Sequence, residues 1–202
     1  MSEPRTEQQD IQALAKGGRT NILGFVLRLA GRIPFLFIAG RLYGAEALGR
    51  FAYALAIVEL AVQLCTLGQK RGLAQELARE DAHPANVVAD GMLLSAALAA
   101  VVALGFYFFP LPVFPSGQYN EIDRLIPLVM VPMVLTDIAL SAQAYRFDVA
   151  TTVRARALVE PWTLSILAGV LWFVVPASGM IIAYIASVFA AAVPALWPVY
   201  KT

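Results

Sequence analysis

Apolar runs long enough to cross a bilayer follow one another along this chain, separated by short clusters of Gly, Pro and charged residues. The first extends over about 22–43, is interrupted by Arg28 and Arg32, and closes at Gly44-Ala45-Glu46. The second covers about 51–67 and is bounded by Gly68-Gln69-Lys70-Arg71. A third, alanine-rich run over about 87–111 ends in Phe106-Tyr107-Phe108-Phe109-Pro110. The fourth, about 125–145, has Pro127 and Pro132 in its first half, and the last two, about 158–175 and 180–200, form a hairpin across Pro176-Ala177-Ser178-Gly179. A hydrocarbon core about 30 Å thick needs roughly 20 apolar residues in a helix, which these runs approach or exceed. Strands of a membrane barrel would be about ten residues long with strict alternation, and these runs are continuous. The pattern predicts an all-α integral membrane protein, a bundle of about six transmembrane helices.

Ahead of the first span, Ile11, Leu14 and Ala15 recur at helical spacing before Lys16-Gly17-Gly18-Arg19. Residues 1–20 therefore read as a cytoplasmic segment, either a short interfacial helix or a polar tail. Met1 to Asp10 are polar and mixed in charge, unlike the basic start of a secretory signal.

Composition narrows the function classes. Of 202 residues, 59% are hydrophobic and 14% charged, and mean hydropathy is +0.70. A soluble domain carries about 25% charged residues and exposes roughly a third of its unfolded surface, so a water-soluble globule is excluded. A net charge of +1 offers no field for nucleic acid. The single cysteine, Cys65, allows no intrachain disulfide or cysteine metal cluster. Nucleotide-binding glycine loops, His-Glu-x-x-His and Gly-x-Ser-x-Gly are all missing from the sequence, so neither an enzyme nor a cofactor or metal site is expected. His83, before Pro84, reads as a loop residue.

Basic residues set the orientation. Arg5, Lys16, Arg19, Lys70, Arg71, Arg79, Arg146, Arg154, Arg156 and Lys201 fall at one set of ends, against Arg41, Arg50 and Arg124 at the other. Both termini are expected in the cytoplasm, with the proline-rich 110–120 stretch facing outward. Trp162, Trp197 and Tyr200 then mark the inner interface, and Tyr43, Tyr107 and Trp172 the outer one.

Charges inside the spans carry the functional signal, because each costs roughly 2.5–3.5 kcal/mol at mid-membrane. Arg28 and Arg32 are four apart on one helical face, with Asn21 on the same stripe, and form a fork for an anion. Arg32 lies too deep to snorkel easily. Glu59 in the second span and Asp137 in the fourth stand at similar depth and can pair with the arginines or carry a coupling ion. Pro127 and Pro132 would kink the fourth span and free carbonyls near Asp137, as in discontinuous transporter helices. Charge pairing that only fixes packing is the alternative reading of all four groups.

Leu14-Ala15-Lys16-Gly17, Asn21-Ile22-Leu23-Gly24, the stretch Arg41-Leu42-Tyr43-Gly44-Ala45-Glu46-Ala47-Leu48-Gly49-Arg50-Phe51, and Leu67-Gly68 resemble the start of polysaccharide-type flippases. These belong to the multidrug, oligosaccharidyl-lipid and polysaccharide exporter superfamily. The Gly-x-x-x-x-Gly-x-Phe turn is the most specific element, and the later spans match in hydropathy and spacing. The resemblance implies export of undecaprenyl-pyrophosphate-linked sugar repeats for lipopolysaccharide or exopolysaccharide, by two lobes of helices around a cationic cavity in the inner membrane. Residues 1–202 would then form a single lobe, the expectation being a truncated chain that lacks its second lobe, or else a half-transporter with a dimer partner. Arg28, Arg32 and Asn21 are the expected substrate-binding residues. A non-transporting scaffold subunit of a glycan synthesis complex is the competing expectation.

Overall fold

A computed structural model describes the backbone of residues 7–66, 84–145 and 149–200, and side chains within 22–66, 86–143 and 150–197. Expectations for Arg5, Lys70, Arg71, Arg79, His83, Arg146 and Lys201, and for the side chains of Lys16, Arg19, Asn21 and Tyr200, lie outside the described residues.

Six long helices carry the fold. α1 (Glu7–Ile38) runs into a π-helical turn at Ala39–Tyr43, and α2 (Ala45–Cys65) follows directly. α3 is Pro84–Phe108, and α4 (Met130–Tyr145) is entered through a 3-10 segment, Asp123–Val129. A short α5 (Val149–Val153) continues through a π-helical stretch, Arg154–Val159, into α6 (Glu160–Trp172). α7 (Gly179–Tyr200) ends the described chain. No strand occurs among the described residues. Five helices are long and apolar enough to span a membrane, and the charged α5–α6 passage makes the sixth member of the bundle.

The exposed face is what makes this a multi-pass membrane bundle. Phe25, Phe37, Leu93, Val101 and Phe173 are each more than 60% exposed, from 67% at Phe25 to 84% at Phe173. Apolar patches of this extent are untenable in water and natural against lipid, since every helix satisfies its own backbone. Inside, α4 is the central member, with 67% of its spanning window buried against 22% for α1. Ile126, Val129, Met130, Val134 and Ile138 of the 3-10 segment and α4 are fully enclosed, packed with Tyr184 and Val188 of α7. Small residues, Ala39, Ala54, Ala99, Ala168 and Ala183, have no exposure at all and let helices approach closely.

Three boundaries differ from the sequence expectation. Residues 7–20 do not form a helix separate from the first span, because α1 continues unbroken from Glu7 into it. The fifth passage is already helical at Val149, well before 158, so Arg154 and Arg156 lie within a helix and not in a connection. Of the fourth span's prolines, Pro132 falls in the first turn of α4, where proline is tolerated. Pro127 sits inside the tighter 3-10 segment that precedes it, where the missing N–H is tolerated.

One end of the bundle gathers the Gly44 turn, the 109–122 connection and the 173–178 hairpin; we call it the turn end. Gly44 has φ +91°, a conformation that glycine takes without strain, and it reverses the chain between α1 and α2. Here Tyr43 stacks edge-on with Trp172 at 5.1 Å and its hydroxyl donates to the Ala168 carbonyl at 2.7 Å. From this turn α1 and α2 diverge, and α6 packs against α1 instead. Gly31 is the contact: its carbonyl accepts the Ser165 hydroxyl at 2.6 Å, and a Cβ there would lie 2.9 Å from Pro161 Cβ. Gly31→Ala should therefore push α1 off α6 and cost about 1–3 kcal/mol, the usual penalty of overpacking. Unfolding titrations in mixed micelles measure this, and parental stability would mean that α1 shifts freely.

Candidate functional site

Between the diverging helices lies a cavity of about 230 Å³. α1 contributes Arg28, Arg32 and Phe35 on successive turns of one face, and α2 contributes Phe51, Leu55 and Glu59 from the facing side. Its floor is made by Arg156 and Glu160 on the π-helical stretch and start of α6, with Leu164 and Tyr184 behind them. The structure thus brings Arg28, Arg32 and Glu59 to one place. Asn21 is helical in backbone, two turns before Arg28.

Asp137 has a different partner from the one its depth suggests. Arg156 donates from Nη2 to Asp137 Oδ1, joining α4 to the fifth passage. It also donates from Nη1 to Glu160 Oε2 at 2.7 Å. All three side chains are only 14–15% exposed. A charge so enclosed is sustained by partners that satisfy it on both sides, and Arg156, with two carboxylates on two of its nitrogens, meets that condition. Two helix carbonyls on either side of this depth also accept hydroxyls: Thr136 donates to the Pro132 carbonyl at 2.7 Å and Ser141 to that of Asp137 at 2.8 Å. Such back-bonds are usual for hydroxyl side chains in helices and leave these carbonyls less open to an ion.

Arg28 and Arg32 stand apart from this triad. Both are exposed into the cavity, and no ion pair holds either of them to a described residue. Glu59 is half-buried across from them, within the field of Arg32 above all. The charges come to three arginines, Arg28, Arg32 and Arg156, against three acids, Glu59, Asp137 and Glu160, so the cluster is neutral overall and its pairing is uneven. Two of the acids are spent on Arg156. The cationic surface that remains is the Arg28–Arg32 fork, where each guanidinium presents about five N–H donors in a plane suited to phosphate oxygens.

Arg156 and Glu160 are the site residues that span-by-span hydropathy misses. The positive-inside pattern assigns Arg154 and Arg156 to a polar connection, and that assignment hides the signal. Arg156 and Glu160 are separated by four, the spacing of a helical ion pair, and are flanked by Ala155, Ala157 and Pro161. Among the described residues no group of His, Cys, Asp and Glu is arranged to hold a metal ion. Compared with protein-family models, with curated proteins and with solved structures, the chain matches none.

Proposed function

We propose that this bundle is one lobe of a flippase that carries undecaprenyl-pyrophosphate-linked oligosaccharide across the inner membrane, both termini being cytoplasmic. The observation that carries the reading is the uneven pairing: Arg156 is saturated by Asp137 and Glu160, while Arg28 and Arg32 face an open cavity inside the apolar belt. Membrane arginines with no ion-pair partner among the described residues call for an anion, and a lipid pyrophosphate supplies one whose hydrocarbon tail remains in the bilayer. The open side of the cavity, between α1 and α2, gives that tail a way out to lipid and is also where a second lobe or second copy of the chain would pack. Outward movement of the anionic headgroup is favoured by an inside-negative potential, by about 2.3 kcal/mol per charge per 100 mV. The chain then acts as a carrier and makes or breaks no covalent bond.

The test is selective binding. The full chain in lipid nanodiscs should bind undecaprenyl pyrophosphate at least tenfold more tightly than the uncharged undecaprenol; equal binding would refute the reading. The scaffold alternative, in which charges only pair, predicts that equality. Glu59 has a part in the same scheme, as the carboxylate across from the fork that is not tied to Arg156. Glu59→Gln should change how transport depends on a proton or sodium gradient. Gradient dependence identical to the parent's would confine Glu59 to charge balance.

A further inference from the structure

A second cavity, of about 490 Å³, opens at the turn end. Its size is in the usual range of ligand pockets, about 300–1,000 Å³. It is built from three connections that are distant in sequence: the start of α2, the 109–122 segment and the 173–178 hairpin. Its polar lining is already organised. Arg50 donates to Gln118 Oε1 at 3.2 Å, and the Asn120 side-chain amide donates to Ser178 Oγ at 3.0 Å. The backbone N–H of Asn120 donates to Asp123 Oδ2, and that of Asp123 donates to Asn120 Oδ1, both at 3.1 Å. One cation and one anion balance here, beside the amides of Gln118 and Asn120, the Ser178 hydroxyl and the rings of Tyr43 and Tyr119, and Ala47, Phe114, Pro176 and Met180 add apolar wall. This lining suits an uncharged, hydroxyl-rich ligand, whereas the arginine cavity suits an anion.

Phe51 lines both cavities. Its ring is 3% exposed and stands edge-on to Phe35 at 5.7 Å and to Tyr184 at 5.5 Å, with all three rings buried. We propose that the two cavities are successive chambers of one path through the bundle, an anionic-group chamber at Arg28 and Arg32 and a chamber for an uncharged, hydroxyl-rich group at the turn end, with Phe51 as the partition between them. The inference deepens the proposed function and rests on it for the first chamber alone. A ring held by edge contacts on two sides is displaced by rotamer change without unfolding a helix, so the partition can open and close.

Thiol labelling tests this without any cargo. In a Cys65→Ala background, Ala56→Cys reports the arginine chamber and Ala177→Cys the turn-end chamber, both positions being exposed. The membrane side from which Ala177→Cys reacts with an impermeant methanethiosulfonate defines the turn-end side. With Phe51 present, reagent on that side should reach Ala56→Cys at least tenfold more slowly than Ala177→Cys; Phe51→Ala should close this gap to within about threefold. Phe51→Leu, which keeps the apolar packing with a shorter side chain, should move the rate in the same direction and serves if the alanine variant does not fold. An Ala56→Cys rate indifferent to both variants, while Ala177→Cys still reacts, would overturn the partition. In detergent, where both chambers are reachable, an anionic reagent should outpace a cationic one at least tenfold at Ala56→Cys and by less than threefold at Ala177→Cys. Equal preference for the anion at both positions would overturn the division of chemistry, and no preference at Ala56→Cys would instead count against the proposed function.

Discussion

Arg156→Met is expected to destabilise the bundle by about 3–5 kcal/mol, the penalty of breaking a buried ion pair from one side. Arg156 is held by Asp137 on α4 and Glu160 on its own helix, and all three side chains are about 15% exposed. Removing the guanidinium leaves two carboxylates near each other in a low-dielectric interior without the charge that bridged them, and α4 is the most buried of the five spanning helices. The loss should be reversible by design. Adding Asp137→Asn and Glu160→Gln to Arg156→Met removes the stranded charges and should restore most of the stability, because a neutral site of similar volume is often as stable as the ion pair it replaces. Equilibrium unfolding in mixed micelles, read as a double-mutant cycle between Arg156 and each acid, measures this directly. A loss under about 1 kcal/mol for Arg156→Met would show the triad to be solvated and its pairing to be worth little.

The Arg28→Ala, Arg32→Ala double variant should behave in the opposite way, losing binding and keeping its fold. Neither side chain is tied to a described carboxylate, and both are exposed, so their removal breaks no buried pair. Deleting them even relieves the cost of carrying charge inside the apolar belt. Their value lies in the bound state. A charge-assisted hydrogen bond contributes about 1.5–3 kcal/mol, so losing one or more from each arginine predicts a fall of at least about a hundredfold in affinity for undecaprenyl pyrophosphate. Lysine in both places keeps the charge and loses the planar fork, and should give an intermediate affinity. Titrating the lipid into nanodiscs and comparing unfolding curves separates the two effects. A double variant that binds as the parent does, or one that binds weakly only because it has unfolded, contradicts the assignment of the fork as the anion site.

Hydropathy made the bundle legible for a physical reason: a helix in lipid must satisfy its own backbone and present apolar side chains, so span length and content are written directly in the residues. The same logic located Arg28, Arg32, Glu59 and Asp137, since a charge within an apolar run is conspicuous. What it did not determine is which charge meets which. Span positions put Asp137 at a depth similar to that of the α1 arginines, yet Asp137 lies against Arg156, because α5 enters the bundle as a helix and the π-helical stretch after it places Arg156 beside α4. Charge counting treats Arg154 and Arg156 as loop residues, and a helix that starts before its apolar run defeats it. The turn-end cavity was similarly illegible. Its walls come from segments some 60 residues apart, as the Asn120–Ser178 and Arg50–Gln118 hydrogen bonds show, and no local pattern joins them.

In the proposed function the Arg28–Arg32 fork carries a lipid pyrophosphate headgroup across the membrane. The most direct measurement reconstitutes the full chain into liposomes holding a fluorescent undecaprenyl-pyrophosphate oligosaccharide, with an impermeant lectin or quencher outside to count the glycans on each leaflet. We predict that the parent protein accelerates exchange between leaflets over protein-free liposomes and that Arg28→Ala with Arg32→Ala returns the rate to the protein-free value. Exchange by the double variant as fast as by the parent, or a parent no faster than bare lipid, would contradict the account.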